Sequence, residues 1–96
     1  MKIENFELID VVKSGDLATI KRKLNPKNID LRDESGNTLL ALAGAYDHLD
    51  IIKYFLDKGA DMNLVNRFNA GFIDFVKSRG SNRTKKFIDK NYIRIN

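Results

Sequence analysis

An internal repeat constrains this chain more than any other feature. Displaced by 33 residues, Asp30 falls on Asn63, Asp33 on Asn66 and Leu40 on Ile73. Displaced by 32, GDLATIKRKL (15–24) falls on DHLDIIKYFL (47–56), with Leu17 over Leu49, Ile20 over Ile52 and Leu24 over Leu56. The first copy leaves through a loop one residue shorter, NPKNID against DKGADMN. A period in this range marks stacked units, each unable to bury its apolar face without a neighbour. Three copies fit in 96 residues, and only the middle one is complete.

Each copy reads as two short helices and a turn. Thr38 suits an N-cap because its hydroxyl can accept an orphan amide of the first turn. The segment that follows, LLALAGA, is small and apolar, fit for close helix contact. A second helix is predicted from Asp47-His48 through Asp57, with Leu49, Ile52, Phe55 and Leu56 at the spacing of one buried face. Lys58 and Gly59 end it, the cation favouring the carbonyl end and the glycine supplying a left-handed cap. Gly36 in DESGN marks a turn with positive φ. Such short helices are not stable alone, so stacking must bury them.

The middle copy, DESGNTLLALAGAYDHLDIIKYFLDKGADMN, resembles an ankyrin repeat. The residues that carry the resemblance are Asp33, Gly36, Thr38, Leu40, Ala43, His48, Leu49, Leu56, Gly59, Ala60, Asp61 and Asn63. FELIDVVKSGDLATIKRKL resembles an amino-terminal repeat of that family and NRFNAGFIDFVKSRG a decayed last one, so the resemblance runs over roughly 5–80. It implies an all-α solenoid of about three repeats, helix-turn-helix units with hairpin loops projecting to one side and degenerate terminal repeats. The expected division of a single domain spanning 1–96 is repeat 1 at about 5–32, repeat 2 at about 33–65, repeat 3 or cap at about 66–90, and a tail at 91–96. Departures from the family pattern are Leu39 for proline, Ala41 for histidine, Asn69 for the turn glycine, and Gly71 and Asp74 for Thr and His in the last copy. Asn69 is tolerable because asparagine visits left-handed space more readily than most residues.

Composition excludes several classes. The 43% apolar and 31% charged fractions are those of an ordinary folded domain. Without cysteine there is no disulfide, thiolate metal site or thiol nucleophile, and a reducing, cytoplasmic location is expected. MKIENFELIDVVKSGD lacks a signal-peptide core, and no apolar run approaches the ~20 residues of a membrane span. His48 is the one histidine of the chain. With no second histidine it cannot build a usual zinc site, and the resemblance implies that it starts the second helix and serves as a structural link. Asp30/Asp33 and Asp47/Asp50 read as turn and helix-start carboxylates accepting backbone amides. Asp57, Asp61 and Asn63 do not make a calcium loop, since Asn66 and Phe72 stand where glycine and glutamate are required. Glycine-rich nucleotide loops and nucleophile elbows are missing, so neither catalysis nor a cofactor is expected.

Binding is the expected role. By resemblance, the contact positions are the hairpin tips and the exposed, concave side of the first helix in each unit: Lys13 and Ser14; Arg32, Glu34, Ser35 and Asn37; Ala45 and Tyr46; Val65, Arg67 and Phe68; Ser78 and Arg79. Lys13, Arg32, Arg67 and Arg79 against Glu34 alone make this face basic, with Tyr46 and Phe68 as aromatic anchors, so the expected partner is a protein with an acidic surface. A free-standing chain this short suggests a dedicated inhibitor of the immunity type, occluding a partner enzyme's site. Residues 1–76 carry 10 basic and 12 acidic side chains, whereas 77–96 carry seven basic and one acidic. SNRTKKFIDKN reads as a capping helix with Ser81 or Asn82 as N-cap and Phe87 and Ile88 inward, and NYIRIN as a short alternating strand. The rival reading is a nucleic-acid or acidic-surface binder using segment 77–96. No membrane partner is expected. A monomer is, with the Tyr92–Ile95 edge the place for any self-association.

Overall fold

Six helices follow one another in the residues described by the computed structural model, 2–95 for the backbone and 7–95 for side chains: α1 Lys2–Ser14, α2 Leu17–Lys23, α3 Leu39–Ala45, α4 Leu49–Asp57, α5 Phe72–Arg79 and α6 Asn82–Asn91. They pair along the chain as α1 with α2, α3 with α4 and α5 with α6, while α3 packs between α1 and α5. This is the all-α helical solenoid that the repeat predicts.

Alpha-3 is short and central, and its sequence explains why. All residues from Leu39 to Gly44 are buried. A β-carbon on Gly44 would lie 3.0 Å from Phe72 Cδ1 and 3.3 Å from Val76 Cγ2, so the small side chains of LLALAGA let α5 approach closely. The core continues through Leu8, Ile9 and Val12 of α1, Ile20 of α2, and Leu49, Ile51, Ile52 and Phe55 of α4. The last helix closes the stack with Ile88 fully buried and Phe87 partly so.

Caps and turns follow local chemistry. Thr38 Oγ1 accepts the Ala41 N–H at 3.0 Å, Asp16 Oδ1 the Thr19 N–H at 3.1 Å, and Ser81 Oγ the Thr84 N–H at 3.3 Å. Gly36 and Gly59 adopt φ of +88° and +89°, and Asn69 takes the equivalent left-handed turn at +64°. Gly71 is extended, and its role is proximity: a β-carbon there would meet the Leu64 carbonyl at 2.7 Å. Its N–H donates to Asp74 Oδ2 at 2.8 Å, which explains an aspartate where the family has histidine.

The tail departs from expectation. Asn91 belongs to α6, and residues 92–95 form no strand. The N–H groups of Tyr92 and Ile93 both donate to the Ile88 carbonyl, at 2.9 and 3.1 Å, and the Ile95 N–H donates to Asp89 Oδ1 at 2.8 Å. A segment whose donors return to its own helix has no ladder to offer a neighbouring strand. Ile95 then packs against the core, while Tyr92 and Ile93 remain exposed.

Candidate interaction surface

Two linkers, 24–38 and 58–71, fold into equivalent hairpin loops closed by the antiparallel bridges Arg32–Thr38 and Val65–Gly71. Inside the first, Asp33 Oδ1 accepts the N–H groups of Ser35 and Asn37 at 3.0 and 2.8 Å. Inside the second, Asn66 Oδ1 accepts those of Phe68 and Ala70 at 2.8 and 3.0 Å. Asp33 and Asn66 occupy the same register position, so one device sets both tips.

The two hairpins are bonded to each other. Arg32 Nη1 donates to the Val65 carbonyl at 3.0 Å, Arg67 Nη2 donates to the Glu34 carbonyl, and the Arg67 N–H reaches the Ser35 carbonyl at 3.2 Å. Asn66 Nδ2 donates to Asn37 Oδ1 at 2.8 Å. Deeper in the loops, Asp30 Oδ1 accepts the Asp61 N–H at 3.1 Å. Sequence reasoning read Arg32 and Arg67 as free surface charges. Each is also a cross-link, which spacing alone does not reveal because the acceptors are backbone carbonyls about one repeat away.

What the hairpins leave outward is aromatic and cationic. Phe68 is 75% exposed at the second tip, and Val65, exposed beside it, accompanies the exposed side chains of Arg32, Glu34 and Arg67. Ser35 and Asn37 are half-buried in the hairpin network. A second ladder runs along the C-terminal ends of the stacked helices, with Lys13 and Ser14 on α1, Ala45 and the C-cap Tyr46 on α3, and Ser78 and Arg79 on α5. Lys13 is half-buried and its carbonyl is occupied, whereas Tyr46 and Arg79 are exposed.

His48 supplies that occupation. Its Nε2 lies 2.8 Å from the Lys13 carbonyl; a carbonyl only accepts, so Nε2 carries the proton and donates. The ring sits over Gly15, where a β-carbon would be 2.8 Å from His48 Cε1, and stacks on Tyr46 at 6.4 Å between centroids. This is the structural link expected of it, holding α4 to the end of α1. The neighbouring Asp47 works in the opposite direction. Its Oδ1 accepts Thr84 Oγ1–H at 2.7 Å and the Ser81 N–H at 3.1 Å, tying the middle repeat to α6. Burial pushes the Asp47 carboxyl up, but the bonds from Thr84 and Ser81 and the nearby Arg83 outweigh it and hold the group below the usual carboxylate range. Asp47 sits at φ +57°, a left-handed position signalled by the 32-residue offset, which lays it over Gly15 at φ +83°.

On the outer helices, a groove of about 430 Å³ is lined by Leu17, Lys21, Asp50, Lys53, Tyr54, Asp57, Phe87 and Tyr92. Lys53 Nζ lies 4.9 Å from the Phe87 centroid and Lys21 Nζ 5.7 Å from that of Tyr54, so the lysines cover the rings. Among the described residues no group of three or more His, Cys, Asp or Glu side chains could hold a metal ion, and no helix is long and apolar enough to cross a membrane. The hairpin face thus combines the guanidinium groups of Arg32 and Arg67 with the open phenyl ring of Phe68.

Comparison with known proteins agrees with the architecture. Residues 35–67 match the family model described as Ankyrin repeat. The chain is similar to alpha-latrotoxin-Lt1a of Latrodectus tredecimguttatus, 38% identical over 52 residues that make up 54% of this chain and 4% of the toxin. It is also similar to human M-phase phosphoprotein 8, 42% identical over 59 residues, 58% of this chain and 7% of that protein. Human receptor-interacting serine/threonine-protein kinase 4 is 34% identical over 65 residues, 68% of this chain and 8% of the kinase. The chain thus spans less than a tenth of the length of these relatives. Residues 35–67 thus match an ankyrin repeat, a unit that generally serves as a non-catalytic protein-interaction module.

Proposed function

We propose that this ankyrin-repeat chain binds another protein through its hairpin tips and helix-end ladder, without catalysing a reaction, and that the partner presents an acidic surface with an apolar pocket. The observation that carries the reading is Phe68, a ring 75% exposed on a tip whose backbone is fixed by Asn66 and by the Arg67 cross-link. An exposed aromatic on a rigid loop, flanked by guanidinium groups, costs little entropy to bury and is the residue type that dominates interface hot spots. The charges around it, Arg32 and Arg67 against Glu34, favour acid on the other side. A finer form of the proposal is a dedicated inhibitor of the immunity type, covering a partner enzyme's site. Its support is the bonded hairpin pair, a surface already formed before binding.

The test is capture from the source cell's extract by the wild type, Phe68→Ala, and Arg67→Glu/Phe68→Ala, each checked for folding by circular dichroism. A protein held by the wild type should be weakened by about 2 kcal/mol or more in Phe68→Ala, as hot-spot truncations are. It should be lost in the double variant. Recovery of the same proteins by all three would end the hairpin-face reading. Loss of a protein that the purified wild type inhibits enzymatically would support the finer form.

A further inference from the structure

The last two helices carry a charged surface that the hairpin reading does not use. Residues 77–96 hold seven basic side chains and one acidic. Lys77, Arg79, Arg83, Lys86, Lys90 and Arg94 are exposed, and Lys85 is half-buried. The acidic one, Asp89, is occupied by the Ile95 N–H at 2.8 Å. Among the described residues the one ion pair within 4.0 Å is Lys23 with Glu7, away from this surface, and of the seven cations Arg83 lies near a carboxylate, that of Asp47.

Their placement on α6 is ordered. Thr84 and Ile88, four residues apart, are fully buried toward the core. Arg83, Lys86 and Lys90 follow steps of three and four on the opposite side of the helix, all exposed. Seven residues of helix place the first and last of them about 10 Å apart along the axis. One strand of a nucleic-acid duplex presents about three phosphates over that axial length. Of the apolar residues nearby, Phe87 is covered by Lys53 and packs on Tyr92 at 5.9 Å, and the exposed Tyr92 and Ile93 lie past the end of the helix.

A solenoid end needs a polar cover, but it does not need a cover of one sign. Alpha-4, with Asp50, Lys53 and Asp57 exposed, shows the mixed pattern that suffices. Concentrating positive charge costs self-repulsion, which a polyanion relieves. The Arg83–Lys86–Lys90 line has no apolar centre of the kind a specific protein interface uses, nor the apolar wedge by which a helix enters a membrane surface. We propose that α6 and the end of α5 form a docking surface for the phosphate backbone of duplex nucleic acid, contacted without base readout.

Fluorescence anisotropy of the full chain with a labelled duplex of about 20 base pairs, at salt from about 50 to about 200 mM, tests this. The wild type should bind at the lower salt and lose on the order of 100-fold in affinity at the higher, whatever the base sequence. Arg83→Gln/Lys86→Gln/Lys90→Gln, all at exposed positions, should keep its circular dichroism spectrum while the log–log salt slope shrinks by about 2.7. Phe68→Ala should bind the duplex as the wild type does, which separates this surface from the hairpin face. No binding at the lower salt, or an unchanged slope in the triple variant, overturns the proposal. So does equal or tighter binding to polyglutamate, which would point to an acidic protein, or to phosphatidylserine vesicles, which would point to a membrane.

Discussion

Replacing His48 with alanine removes three things at once. The first is the bond from Nε2 to the Lys13 carbonyl at 2.8 Å. That carbonyl lies in the last turn of α1, where the helix itself supplies no partner, so its loss leaves a half-buried acceptor unsatisfied. A penalty of about 1–3 kcal/mol follows. The second and third are the ring's contact with Gly15 and its stack on Tyr46, together worth about 1 kcal/mol. A domain of this size has a total stability on the order of 5–14 kcal/mol, so a loss of about 2–4 kcal/mol is a large share. In a thermal melt followed by circular dichroism, Tm should fall by about 10–20 °C. His48→Gln, whose amide N–H₂ can point the same way, should recover part of the fall. A Tm within about 2 °C of the wild type for His48→Ala would refute the argument that this histidine joins the repeats. A folded but functionally dead His48→Ala would instead point to chemistry at the ring.

Gly71→Ala places a β-carbon 2.7 Å from the Leu64 carbonyl, so the hairpin backbone must move. A destabilisation of about 1–3 kcal/mol is expected in urea melts. Asp47 makes acid sensitivity testable. Its folded-state pKa lies below the unfolded value of 3.8, so the folded protein binds fewer protons than the unfolded chain between the two. The carboxylate's contribution is therefore complete above about pH 4 and is lost as pH falls through the folded pKa. Urea melts at a series of pH values should show a shallower acid decline for Asp47→Asn, which keeps a carbonyl acceptor and tolerates the left-handed backbone. An acid limb as steep as that of the wild type would remove Asp47 from the account.

Features that depend on one dihedral or one local bond were legible in the sequence. Thr38, Gly36, Gly59 and Asn69 each announce a cap or turn by what their own side chains permit, and the structure places all four so. The repeat offset located the helices because burial of one face imposes a period. The residues that join repeats were only partly legible. His48 was read as a link, but Asp47, reaching Ser81 and Thr84 more than thirty residues on, looked like any helix-start carboxylate. Arg32 and Arg67 looked like free charge because nothing in spacing marks a carbonyl as an acceptor. NYIRIN was read as a strand because four alternating residues fit many backbones. What decides is where their N–H groups go, here to Ile88 and Asp89.

Asp47 and His48 are consecutive in the chain, yet one reaches forward to the cap and the other back to the first repeat. Beside the hairpin cross-links and the packing of α3, both neighbours of the middle repeat are thus bonded to one dipeptide. An array of weakly coupled repeats frays from its ends, each unit opening at its own free energy. Here, opening either end unit breaks a bond to this dipeptide and loosens the support of the other. The three repeats are therefore expected to melt as one, and hydrogen exchange should show amide protons of α1 and α6 opening with those of the buried α3.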